Sequence, residues 1–250
     1  MNPLLEKINL LESKLGRKYS HKVLEPFYFN SANPLEVQKA GQKIAEHIGL
    51  PPLTFVVSYS HQKANIGGQI HLDSSKEVFI EISLMYKSEP DIVLSILAHE
   101  ICHKYLYLNN IKLFPDYENE ILTDTATIYT GLGKLSLNGC EVTNKKSQRF
   151  GNRITTSFTT YKVGYLNRRQ FALVYRFVSD MRKVSYKQML RGLSTDALKE
   201  IGQISSSNTG RRTKSPVTLK NHLRIVREKI IFHYLFFLSK FPATKKWFST

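Results

Sequence analysis

His99-Glu100-Ile101-Cys102-His103 has two histidines four residues apart and a glutamate beside the first, the residue types that bind a metal ion and activate water. On a helix, positions i and i+4 leave one face, so both imidazoles can meet a single zinc ion at about 2.0–2.1 Å. Glu100, adjacent to the first ligand, is placed to reach metal-coordinated water rather than the metal. The competing reading makes the histidines hydrogen-bonded members of a polar core and Glu100 a solvated charge. The surrounding Ile92, Leu94, Ile96, Leu97, Ile101 and Leu106 weigh against it, because burying two imidazoles and a carboxylate without a metal is costly.

A catalytic zinc takes three protein ligands and keeps an open fourth position. The next acidic cluster is Asp116, Glu118, Glu120 and Asp124. Glu120 and Asp124 share a helical face and Glu118 points elsewhere, so Glu120 is assigned as the third ligand and Asp124 as the acceptor that orients a histidine N–H. An exchange of those two roles is the alternative, and an acidic first turn favoured by the helix dipole accounts for part of the run. Tyr165, after a glycine, is the candidate donor to a developing oxyanion; its competing role is aromatic packing at a helix entrance. The expected chemistry is zinc-assisted hydrolysis of a peptide bond. Zinc polarises the carbonyl and lowers the pKa of bound water to about 7, while Glu100 takes the proton and returns it to the leaving amine.

These residues need elements to hold them. Leu4, Leu5, Ile8, Leu11 and Leu15 recur at helical spacing, and a second helix is predicted from Pro34 to about Ile48, ended by Gly49 and Pro51-Pro52. From Leu53 the pattern alternates: three short strands are expected at 53–59, 69–72 and 77–83, the last two a hairpin. Ser88 is the candidate cap and Pro90 the first turn of a helix running to about Asn109. A further helix runs from about Glu118 to Tyr129 and stops at Gly131-Leu132-Gly133. Residues 141–165, rich in Lys, Arg, Thr, Ser and Asn, read as a long loop. Helices are expected over 168–184, 195–203 and 217–240, with a mobile linker near 205–216. An exposed strand edge around Gly67 to Leu72 could pair with substrate backbone.

Asn119-Glu120-Ile121-Leu122-Thr123-Asp124, following His99-Glu100-Ile101-Cys102-His103, resembles the gluzincin metallopeptidases of the thermolysin type, in which Asn-Glu-x-x-Ser-Asp follows the His-Glu-x-x-His helix. With Gly131-Leu132-Gly133 and Gly164-Tyr165-Leu166, the chain is still more similar to a group of uncharacterised bacterial predicted peptidases. The resemblance covers roughly residues 53 to 133 and one short downstream motif. It implies Glu120 as third zinc ligand, Asp124 behind a histidine, Glu100 as general base, and a protein or peptide substrate. Two departures stand beside it: only 16 residues separate His103 from Glu120, and an Asn-Ala edge-strand signature occurs loosely as Ala64-Asn65. The fold class expected is α+β. A small zincin-like core with a short antiparallel or mixed sheet occupies residues 1–142, and a basic, mainly helical region, 143–250, packs on or beside it.

Charge divides the chain at the same place. Residues 1–142 carry 13 Lys and Arg against 16 Asp and Glu, and residues 143–250 carry 23 against 4. Such a basic half favours a polyanion, whether nucleic acid, an anionic membrane face or an acidic protein. A nucleic-acid-associated protein, its metal site either a recruited protease or structurally inert, is therefore the alternative function. No run of about 18 apolar residues is present to span a bilayer. The first residues lack a basic leader with an apolar h-region, and two cysteines, Cys102 and Cys140, make no disulfide framework. Together these predict a cytoplasmic, soluble protein.

Overall fold

A computed structural model describes residues 3–16, 23–62, 67–72, 77–150 and 153–209. The fold is α+β: α1 (Pro3–Leu15), α2 (Pro34–Ile48), β1 (Thr54–Ser60), β2 (Gly68–His71), β3 (Glu77–Ser83), a 3-10 turn (Leu84–Tyr86), α3 (Pro90–Leu108), α4 (Asp116–Tyr129), α5 (Gly133–Gly139), β4 (Glu141–Phe150), β5 (Arg153–Lys162), α6 (Arg168–Met181), α7 (Tyr186–Leu190) and α8 (Thr195–Thr209).

The first sheet is mixed, in the order β1-β3-β2. β1 runs parallel to β3 in the register Phe55↔Val78 and Val57↔Ile80, and β2 pairs antiparallel with β3 through Gly68↔Ile82 and His71↔Phe79. Alternation puts Phe55, Val57, Val78, Ile80 and Ile82 on the buried face, while Val56 and Phe79 stay partly exposed on the other. β1 and β2 are the two edge strands.

Against the buried face lies α3, which also packs on α2, α4 and α5. Neighbours on so many sides explain why α3 buries apolar residues around its whole circumference, from Ile92 and Val93 to Leu97, Ile101 and Leu106. α2 follows its sequence signals closely: the Asn33 side chain accepts from Leu35 N–H, Pro34 opens the helix, and Gly49 closes it in the left-handed region at φ 76°. α6 packs on α4 and α5, so residues from Leu4 to Ile204 share one apolar core.

Several expectations are corrected. Ser88 does not cap α3; Glu89 occupies that position without a side-chain cap bond. Residues 141–165 are not a loop, since β4 and β5 pair antiparallel from Glu141↔Lys162 to Phe150↔Arg153. Cross-strand pairing supplies the order that the weak apolar alternation did not announce. The short α5 went unpredicted because glycines bound it, and α7 because it spans one turn. α8 continues through Ser205 to Thr209, into the stretch read as a linker, so serine-rich composition there does not stop the helix. The rest of that linker, the helix expected at 217–240 and the Ala64-Asn65 signature lie outside the described residues. Among the described residues, no helix is long and apolar enough to cross a membrane.

Candidate metal centre

α3 delivers His99, Glu100 and His103, and α4 delivers Glu120, Thr123 and Asp124. The two helices pack against each other, which turns these two faces together. His99 Nε2 lies 3.0 Å from His103 Nε2 and 3.0 Å from Glu120 Oε2, and His103 Nε2 lies 3.1 Å from the same carboxylate oxygen. Three donor atoms thus form a nearly equilateral triangle. A tetrahedral zinc at about 2.0–2.1 Å from each would hold them about 3.3–3.4 Å apart, a few tenths wider. The group is His99, His103 and Glu120, the set assigned from spacing. Their side chains keep 14%, 13% and 23% of their surface exposed, so the cluster is not fully sealed from solvent.

The other nitrogen of each ring is already committed. His99 Nδ1 donates to Asp124 Oδ1 at 2.7 Å. Thr123 gives its hydroxyl proton to Asn119 O at 2.9 Å, so its oxygen is left to accept from His103 Nδ1 at 3.2 Å. Both Nδ1 atoms are thereby committed, which leaves each Nε2 to face the shared point. Thr123 was missed in the sequence, although its position three residues after Glu120 on one helix face was a usable signal.

Asp124 is buried and does a second job: its Oδ2 accepts from the backbone N–H of Tyr165 at 2.7 Å and of Leu166 at 2.9 Å. Gly164 makes this turn, at φ 84°, with Asp124 oxygens 3.2 and 3.3 Å from where a Cβ would sit. The chain leaving β5 is therefore fastened to the carboxylate that orients His99. Asp124 stands behind His99 rather than among the converging donors.

The Tyr165 ring lies nearly parallel to His99, with centroids 6.4 Å apart and 18° between planes, and Tyr117 meets it edge-on at 5.9 Å. Both tyrosines are about half exposed, forming an aromatic wall beside the triangle. The hydrogen bond that ties Tyr165 to the site runs through its backbone.

Glu100 is buried, with its Oε1 3.1 Å from the position a Cβ on Gly68 would take. The start of the edge strand β2 therefore presses directly on this carboxylate, and only Gly67-Gly68 could have hinted at so close an approach. His71, further along β2, is exposed and stands 4.0 Å from Glu81 on the sheet.

The electrostatics follow from this crowding. Burial pushes the Glu100 carboxyl above its usual range, more than the two histidines bring it down. Burial also acts upward on Glu120, but hydrogen bonds and charge from His103 and His99 outweigh it and hold that carboxyl at about 2. His99 is lowered by burial and raised more strongly by Asp124 and Glu120, so it titrates well above the ordinary imidazole range. Cys102, beneath this face, is a free buried thiol pushed up to about 12 by burial, which makes it a packing residue.

A donor set of two imidazoles and one carboxylate, partly exposed and with both rings pre-oriented, fits a zinc ion with an open coordination position. No family model, curated protein or solved structure matches the chain.

Proposed function

We propose that this chain is a zinc-dependent peptidase. The supporting observation is the convergence of His99 Nε2, His103 Nε2 and Glu120 Oε2 within 3.0–3.1 Å, with a buried carboxylate, Glu100, on the neighbouring position. The likeness to gluzincin sequences points the same way.

Bound there, zinc would supply Lewis acidity to the scissile carbonyl and bring a water's pKa to about 7. His99, His103 and Glu120 hold the ion, and Asp124 and Thr123 keep the rings aimed. Glu100 takes the proton of the attacking water and passes it to the leaving nitrogen. A carboxyl raised by burial suits this double task, because its basicity lies nearer to neutrality than that of a solvated glutamate. Tyr165 is the proposed hydroxyl donor to the developing oxyanion, its ring already placed against His99. A peptide substrate can extend the sheet along the free side of β2, whose first residue touches Glu100. Two free buried cysteines are compatible with a reducing, cytoplasmic setting.

The test is cleavage of a quenched-fluorescent peptide library by zinc-loaded protein, by chelated protein and by Glu100→Gln. The expected result is activity that chelation removes and zinc restores. Glu100→Gln should retain about one zinc per chain and lose on the order of 10²–10⁴-fold in kcat. Stoichiometric zinc with no cleavage of any peptide by the parent chain would make the site an inert one.

A further inference from the structure

From Val142 to Ser179 the chain contains eight Lys and Arg and no Asp or Glu. Five of the eight lie in the β4–β5 hairpin, with Glu141 its single acid at the base. The base is well anchored: Val163 N–H donates to Cys140 O at 2.9 Å, and Tyr161 meets Tyr86 edge-on at 5.8 Å. Beyond the anchor, residues 147–149 and 154–160 are all exposed, with Ile154 at 70% and Phe158 at 67%. Ten-residue strands reach about 33 Å, so the ribbon extends well past its footing.

We propose that this hairpin is an arm that binds double-stranded DNA through its phosphates. Seven Ser and Thr hydroxyls accompany the five cations along the two strands. The register places Arg149 opposite Ile154 and Lys145 opposite Phe158, and on the same pleat Thr143 pairs with Thr160 at 2.9 Å and Ser147 with Thr156 at 3.2 Å. Cations and hydroxyls are the groups that hold phosphate oxygens. A two-stranded ribbon also has the width that the B-form major groove admits, whereas the A-form groove is too narrow. An anionic membrane fits less well, because hydroxyl residues occupy both faces and leave neither one continuously apolar. The arm needs no metal, so this inference stands or falls separately from the peptidase reading.

The experiment is fluorescence anisotropy of the full-length chain on a labelled duplex of about 24 base pairs at 50 and 200 mM KCl. Four phosphate contacts would weaken binding on the order of a hundredfold across that range. Lys145→Glu/Lys146→Glu/Arg149→Glu should bind at least about tenfold more weakly, with a salt slope smaller by about 0.9 for each phosphate no longer neutralised. Arg211→Glu/Arg212→Glu/Lys214→Glu, an equal charge change elsewhere in the basic half, should stay within about threefold of the parent. Lys145→Gln/Arg149→Gln is the milder version, with circular dichroism and an unchanged urea midpoint confirming the fold. Absence of salt-dependent duplex binding would overturn the proposal. So would unchanged binding by both hairpin variants, loss confined to the Arg211 variant, or tighter binding to phosphatidylserine vesicles or polyglutamate than to duplex.

Discussion

Among the individual side chains, the site depends on a carboxylate that stands behind one proposed ligand and is not itself one. Asp124 Oδ1 accepts from His99 while Oδ2 accepts from two backbone N–H groups. Asparagine offers only one oxygen, so Asp124→Asn must set an amide N–H against donors on one side. Zinc affinity of that variant should fall about 10- to 100-fold, read by competition with a chromophoric chelator. Protons also compete with the metal. His99 titrates well above its ordinary range in the metal-free chain, where Asp124 and Glu120 overcome the effect of burial. A raised folded-state value means that the metal-free protein gains stability below the unfolded imidazole pKa of about 6.5, and loses it as pH rises through the folded value. Zinc must displace that proton, so its affinity should strengthen by up to about tenfold per pH unit over the same window. A flat profile from pH 6 to 8 would show that zinc displaces no proton from His99 in that range.

Among the helices and strands, α3 carries His99, Glu100 and His103 and is held by contacts so close that single atoms matter. A Cβ on Gly139 of α5 would stand 2.0 Å from the backbone oxygen of Asp91 in the first turn of α3. Backbone cannot yield as a flexible side chain can. Gly139→Ala should therefore cost about 3 kcal/mol, seen as a lowered urea midpoint with unchanged slope. Much of α3 and α4 was legible because helical spacing, Pro90 and the acids of the first turns all agree with the structure. The site residues were legible for the same reason: i, i+4 spacing on a helix specifies a shared face before any tertiary contact is known. The β4–β5 hairpin was not legible, because threonine, serine and lysine on both faces leave no alternation to detect. Its order comes from a partner strand that local sequence does not announce. The roles of Thr123 and Gly68 were not legible because each acts through a neighbour on another element.

Across the chain as a whole, two helices from one core close around a shared point while the basic charge lies mainly downstream of it. The Val163–Leu166 turn joins the two regions, since it follows directly on β5, Val163 N–H ends on Cys140 O, and the N–H groups of Tyr165 and Leu166 end on Asp124. Neither the core nor the charge division bears on chemistry; the peptidase proposal rests on the geometry of three candidate ligand atoms. Anomalous diffraction at the zinc edge from a zinc-loaded crystal reads that geometry without an intermediary. One peak is expected about 2.0–2.2 Å from His99 Nε2, His103 Nε2 and a Glu120 oxygen, with a solvent oxygen completing the shell within hydrogen-bond reach of Glu100. A peak bound by Asp124 in place of Glu120 would overturn the third-ligand assignment, and a shell closed by four protein atoms, or no peak between these residues, would contradict the zinc peptidase assignment.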